Sequence, residues 1–113
     1  EFVVSKGMDG CLFVYANEDW KAFEEKLASL PLINPEARQF ARFFLSGAQY
    51  VTVDKQGRIL LPANLRQHAK LEKDVTVIGV GRHAEIWNTQ AWQQMNERLR
   101  SGPIAAAMEE LEF

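Results

Sequence analysis

Apolar and polar residues alternate along this chain in two textures, short runs suited to strands and three-and-four spacings suited to helices. Phe2–Ser5 and Cys11–Tyr15 are short apolar runs on either side of Lys6-Gly7-Met8-Asp9-Gly10, which predicts a hairpin closed by a glycine-containing turn. Asn17 follows as the expected cap of a helix, with Glu18 and Asp19 placed against the positive end of its dipole. Trp20, Phe23, Leu27 and Leu30 step by three and four and predict one buried stripe, ended by Pro31. Asn34-Pro35-Glu36 opens a second helix, because proline is tolerated at the first helical position. Ala37, Phe40, Ala41 and Phe44 form its apolar side, and Gly47 is the expected terminator.

The remainder repeats the theme. Gln49–Val53 reads as a strand, Asp54–Gly57 as a turn and Arg58–Leu61 as the returning strand, before Pro62 opens a short helix over Ala63–Ala69. Val75–Val80 and Ala84–Asn88 predict another hairpin around Gly81-Arg82-His83. Thr89 is the expected cap of a last long helix with Trp92, Met95 and Leu99 inward, and Gly102-Pro103 breaks it. Ile104–Phe113 is left as a short, acidic, Ala-rich tail with no assigned order.

Trp20 and Trp92 stand 72 residues apart, and the same offset pairs Val3 with Val75, Gly7 with Gly79, Glu25 with Glu97, Leu27 with Leu99, Ser29 with Ser101 and Pro31 with Pro103. Tyr15 then falls on Trp87, Val14 on Ile86, Phe23 on Met95 and Lys26 on Arg98. The unit is therefore read as duplicated, with halves at 1–47 and 48–113. Ala48–Lys73 has no counterpart in the first copy. That counterpart would fall ahead of Glu1, so the chain is expected to begin partway through its first repeat.

Composition narrows the class. At 113 residues with 47% hydrophobic and 25% charged content, the chain is a compact globular domain rather than a disordered or collagen-like one. It contains no apolar run of the roughly 18 residues that a membrane span requires. The one cysteine, Cys11, cannot form an internal disulfide and suits a reducing compartment. A net charge of −2 does not point to nucleic acid, although it leaves room for a local basic patch.

Asp54-Lys55-Gln56-Gly57-Arg58 is the segment with the most chemistry. Aspartate suits the first position of a type I turn, where its carboxylate accepts backbone N–H groups, and Gly57 suits the left-handed position of a three-residue hairpin loop. Lys55, Gln56 and Arg58 would then face outward on a rigid tip. A two-stranded ribbon can enter the DNA major groove, where arginine binds guanine O6 and N7 through two hydrogen bonds. The competing reading is a merely solvated hairpin tip.

Asp-x-x-Gly-Arg followed by an apolar strand, Pro62 and a short helix carrying Arg66 resembles the swapped-hairpin DNA-binding fold of the AbrB group. The wider order of motifs closely resembles the MraZ family over nearly the whole chain. It runs from Val14-Tyr15 before Glu18, Trp20 and Lys26-Leu27, through Ala37-Arg38 to Gly47-Ala48 and Asp54–Arg58, to Glu85-Ile86-Trp87 before Trp92. The resemblance implies an α+β fold of two AbrB-like halves, each a swapped hairpin of a double-split β-barrel, related by a pseudo-twofold axis. It also implies a transcriptional regulator, expected to be a repressor, of the bacterial division and cell-wall gene cluster. Such a regulator binds double-stranded DNA at direct repeats upstream of its own operon, as a ring homo-oligomer in the cytoplasm and nucleoid. It is not an enzyme and needs no cofactor or metal. By position, Arg58 is the implied base-reading or phosphate-gripping residue, with Lys55 and Gln56 beside it, Arg66 in support, and Asp54 and Gly57 shaping the loop. The family's second Asp-x-x-Gly-Arg, in the first half, has no match in this sequence.

Other candidates have plainer readings. Arg38 and Arg42 form a basic strip or pair with acids such as Glu36; His68 and His83 lack zinc-site spacing; Cys11 reads as a small buried hydrophobe. Phe40, Phe43 and Phe44 with Ala37 and Ala41 are either a broad core face or a subunit contact. The alternatives to a DNA reader are a ring-forming protein-interaction scaffold and an AbrB-like antitoxin.

Overall fold

The computed structural model describes all residues, Glu1–Phe113. It is an α+β fold with one antiparallel sheet and five helices. Strands β1 (Phe2–Lys6), β2 (Leu12–Ala16), β3 (Gln49–Val51), β4 (Val75–Val80) and β5 (His83–Asn88) lie in the order β3-β1-β2-β5-β4. The helices are α1 (Asn17–Ala28), α2 (Pro35–Ser46), α3 (Ala63–His68), α4 (Thr89–Arg100) and α5 (Pro103–Glu110).

Strand alternation divides the core into two faces. Val3, Phe13, Tyr15 and Trp87 point to one side, where Trp20 and Leu27 of α1 and Phe44 of α2 cover them. Val4, Leu12, Val51 and Ile86 point to the other, under Leu65 and Ala69 at α3. The aromatic residues fill the first face by edge and stacking contacts, with Phe13 stacked on Phe44 at 6.0 Å and Tyr15 on Phe23 at 5.5 Å.

The repeat is structural. Shifted by 72 residues, α1 coincides with α4 from end to end and β2 falls within β5. These two strands pair with each other through Leu12↔Ile86, Phe13↔Glu85 and Val14↔Ala84, a ladder centred on two residues that occupy the same place in their copies. Across the hairpins, however, the offset is not constant. Tyr15 faces Val3 while its counterpart Trp87 faces Thr76, because the second turn is one residue shorter. Val3 therefore corresponds to Thr76 and Val4 to Val77, and the sequence pairings of Val3 with Val75 and Gly7 with Gly79 are off by one.

Several local expectations need correction. Asn17 is already helical and Ala16 is the cap residue; the Asn17 amide instead donates to Glu1 Oε1 at 2.8 Å. Asn88, not Thr89, caps α4 by accepting from the Ala91 N–H, and Thr89 Oγ1 bonds Thr76 Oγ1 across to β4. Gly47 does end α2, but at φ −98° rather than left-handed; a Cβ there would press on Lys6. Cys11 lies just before β2, after a single 3-10 turn at Met8–Gly10. The Ile104–Phe113 tail is largely helix α5. Asn34 caps α2 as expected, its Oδ1 accepting from Glu36 and Ala37 N–H groups.

The largest departure concerns Arg58–Leu61, which forms no ladder, while the preceding strand stops at Val51. The segment keeps an extended alternation: Ile59 and Leu61 pack onto the cluster around Val51 and Leu65, leaving Leu60 83% exposed. Inward packing of alternate side chains, rather than pairing with β3, holds this stretch.

Candidate nucleic-acid interface

β3 and α3 deliver a loop to the surface between Val51 and Ala63. Two backbone bonds close its tip: Asp54 N donates to Arg58 O at 2.8 Å, and Gly57 N donates to Asp54 O at 3.0 Å. This is the geometry of a three-residue hairpin loop, and Gly57 takes its left-handed position at φ +79°. A side chain at that φ would be strained although the space around it is open.

Asp54 organises the rest. Its Oδ1 accepts from the backbone N–H of both Gln56 and Arg58 at 2.9 Å, and its Oδ2 accepts from Arg58 Nε at 3.1 Å. The Arg58 backbone N–H, then the Gln56 N–H and the Arg58 guanidinium, hold the Asp54 carboxyl below its ordinary value, against an opposing desolvation effect. The arrangement is therefore intact above the ordinary carboxylate range and is lost as pH falls through the lowered value.

The Arg58 side chain is 71% exposed, and none of the chain's hydrogen bonds uses its terminal nitrogens. It is oriented at one end and free at the other. A guanidinium held by Nε offers two parallel donors, the geometry that guanine O6/N7 or a phosphate accepts. Lys55 and Gln56 share the tip and are exposed.

Arg66 stands apart on α3. Its Nη1 donates to the Leu61 carbonyl at 2.7 Å, tying the outgoing arm of the loop to the helix. This bond is the feature the sequence did not announce, since a side-chain-to-carbonyl contact five residues back leaves no periodic signal. Neither histidine joins the tip: His68 Nε2 lies 3.2 Å from the Gly7 carbonyl, and His83 is half-buried against Phe13 and Tyr15. Arg38 does not pair with Glu36 but donates to the Leu32 and Ile33 carbonyls. No cluster of three or more His, Cys, Asp or Glu side chains is suited to a metal. No helix is long and apolar enough to cross a membrane.

Comparisons with known proteins agree with this architecture. A family model described as "MraZ protein, putative antitoxin-like" matches residues 1–43 and again 44–112. The chain is 59% identical over 97 residues to the "Transcriptional regulator MraZ" of Heliobacterium modesticaldum, an alignment covering 86% of this chain and 68% of that protein. It is 53% identical over 112 residues to the protein of the same name from Thermoanaerobacter pseudethanolicus, covering 97% and 78%. The Desulfitobacterium hafniense protein of that name is 50% identical over 106 residues, covering 94% and 74%. Two matches in tandem, and relatives at this identity along most of their length, show that the chain belongs to the MraZ family.

Proposed function

We propose that this chain is a sequence-specific DNA-binding transcriptional regulator, and that Arg58 on the Asp54–Arg58 tip reads bases or grips phosphate. The observation that carries this reading is the prepositioned guanidinium: Asp54 fixes its inner nitrogen while its outer donors face solvent. Lys55 supplies charge to the backbone, Gln56 a second polar contact, and Arg66 supports the loop by holding Leu61. The relatives' name favours the same role.

The finer architecture is part of the proposal. Two AbrB-like halves, 1–47 and 48–113, exchange hairpin strands about a pseudo-twofold axis. The self-matching β2–β5 ladder centred on Phe13 and Glu85 supports the axis, and β3, which belongs to the second half, pairs with β1 of the first. Copies assemble into a ring, so that several tips engage direct repeats upstream of the protein's own operon. Each contact is weak and their sum is selective through effective concentration. Regulation of the division and cell-wall cluster, repression, and residence in the cytoplasm and nucleoid complete the reading.

A titration of upstream and scrambled duplexes at several salt concentrations tests it, with wild type and Arg58→Ala. The expected result is salt-sensitive binding that favours the upstream DNA, with Arg58→Ala costing about 1–3 kcal/mol per engaged tip on that DNA only. Equal loss on both duplexes would remove base reading from Arg58. No preference in the wild type would shift weight to the protein-interaction scaffold.

A further inference from the structure

We infer that Lys70 is a DNA phosphate contact that extends the candidate interface along α3. The inference rests on the proposed DNA reading and adds a sequence-independent anchor beside the Asp54–Arg58 tip.

Lys70 stands at φ +51°, in the left-handed region where a lysine side chain costs energy and glycine does not. The other non-glycine residues with positive φ are Asp9, whose short polar side chain tolerates it, and Glu112, beside the chain end. Three hydrogen bonds pin the backbone here. The Lys70 N–H donates to the Gln67 carbonyl at 3.2 Å, the Leu71 N–H to the Arg66 carbonyl at 2.9 Å, and the Asn88 side-chain amide to the Lys70 carbonyl at 2.7 Å. This is the C-terminal closure of α3, a place where glycine is the usual residue. A side chain kept at a strained position points to a use outside folding.

Inside the fold that side chain has none. Lys70 is exposed, takes part in neither of the chain's ion pairs, and its ammonium makes no hydrogen bond. It opens onto a shallow cavity of about 440 Å³ shared with Ala63, Arg66, Gln67, Leu71 and Glu72. Arg66 spends Nη1 on the Leu61 carbonyl and keeps its other nitrogens for an outside acceptor, and Gln67 is exposed beside it. Glu72 is the one acid on this rim, so the two cations leave it net positive.

Two cations and an amide around an open concavity suit a phosphate, which accepts charge-assisted hydrogen bonds. Duplex DNA is the source, because the cavity continues from the tip: α3 follows it through Ile59–Pro62, and Arg66 holds the outgoing arm. Ala63 and Lys70 are about 10 Å apart at ~1.5 Å per residue, or roughly three base steps of ~3.4 Å. Lys70 thus meets the backbone outside the bases that the tip reads, and adds affinity without selectivity.

Titration of the upstream and scrambled duplexes over a salt series, with thermal unfolding in parallel, tests the assignment on wild type, Lys70→Gly and Lys70→Arg. Lys70→Gly should weaken both duplexes alike, by about three- to tenfold, and should lower the slope of log affinity against log salt by about 0.9. Its melting midpoint should rise, because glycine takes the left-handed conformation without strain. Lys70→Arg should keep the wild-type slope. Opposite movements of stability and DNA affinity are a signature that a structural role does not give. An unchanged slope in Lys70→Gly, or a melting midpoint that falls with the affinity, would overturn the Lys70 contact and leave the Arg58 reading standing. A wild type that binds neither duplex would overturn both.

Discussion

The two copies of the repeated unit share a backbone plan and differ in how much of it is covered. In the first, Val4 is fully buried and Trp20 is 1% exposed; in the second, the structural counterpart Val77 is 64% exposed and Trp92 only partly buried. Helices explain the difference. Phe44 of α2 stacks on Phe13 and meets Phe23 edge-on, while Leu65 of α3 joins the cluster around Val4. No equivalent of either helix lies over β4, and α4 contains no fully buried residue. The same pattern of strand and Trp-anchored helix thus yields a core in one place and available surface in the other, according to what packs above it.

Three measurements would break or sharpen that contrast. Cys11 gives the largest effect: burial, reinforced by the charges of Glu85 and Asp9, pushes its thiol from 9.0 up to about 12. Its native alkylation near pH 8 should therefore be about a thousandfold slower than in the unfolded chain, because only the thiolate reacts. The same shift favours the protonated thiol in the fold, so its contribution is full below pH 9.0 and lost as pH rises towards about 12. Next in size, Trp20→Ala should cost about 3–5 kcal/mol in denaturant unfolding, and Trp92→Ala about 1–2 kcal/mol. Smallest is the valine pair, with Val4→Ala costing about 1–3 kcal/mol and Val77→Ala within about 0.5 kcal/mol of wild type. Equal losses at Val4 and Val77 would mean that β4 is covered in solution.

Much of this plan was legible in the chain. The Trp20 and Trp92 helices, both hairpins and the Asn34 cap follow from periodicity and turn chemistry, which are local. Where the sequence misled, a non-local contact decided. Arg58–Leu61 has strand character, but Ile59 and Leu61 find their partners in the core rather than on β3. Asn17 and Thr89 have the chemistry of caps, yet both are already inside their helices: the Thr89 hydroxyl bonds Thr76, and Asn17 spends its amide N–H on Glu1 while its oxygen has no partner. The order β3-β1-β2-β5-β4 could not be read from composition, because strand partners far apart in the chain leave no local trace. Helix α5 is obscure in the sequence for a plainer reason: its Ile104, Met108 and Leu111 spacing lies in an acidic, Ala-rich stretch behind a proline. At the candidate interface, the Asp54–Gly57 turn was legible, since aspartate and glycine define it. The bond from Arg58 Nε to Asp54 was not, because it depends on a side-chain rotamer.

Of the two roles proposed for Arg58, reading bases through its two free donors is the one that a selectivity measurement separates from gripping phosphate as a positive charge. Arg58→Lys separates these roles, because lysine retains the charge but cannot make the paired contact. Affinities for the upstream and scrambled duplexes, measured at one fixed salt concentration, give the selectivity ratio directly. The expected result is a ratio reduced about tenfold, equivalent to about 1.4 kcal/mol, with binding to the scrambled duplex unchanged. A lysine variant with the wild-type ratio would contradict base reading by Arg58.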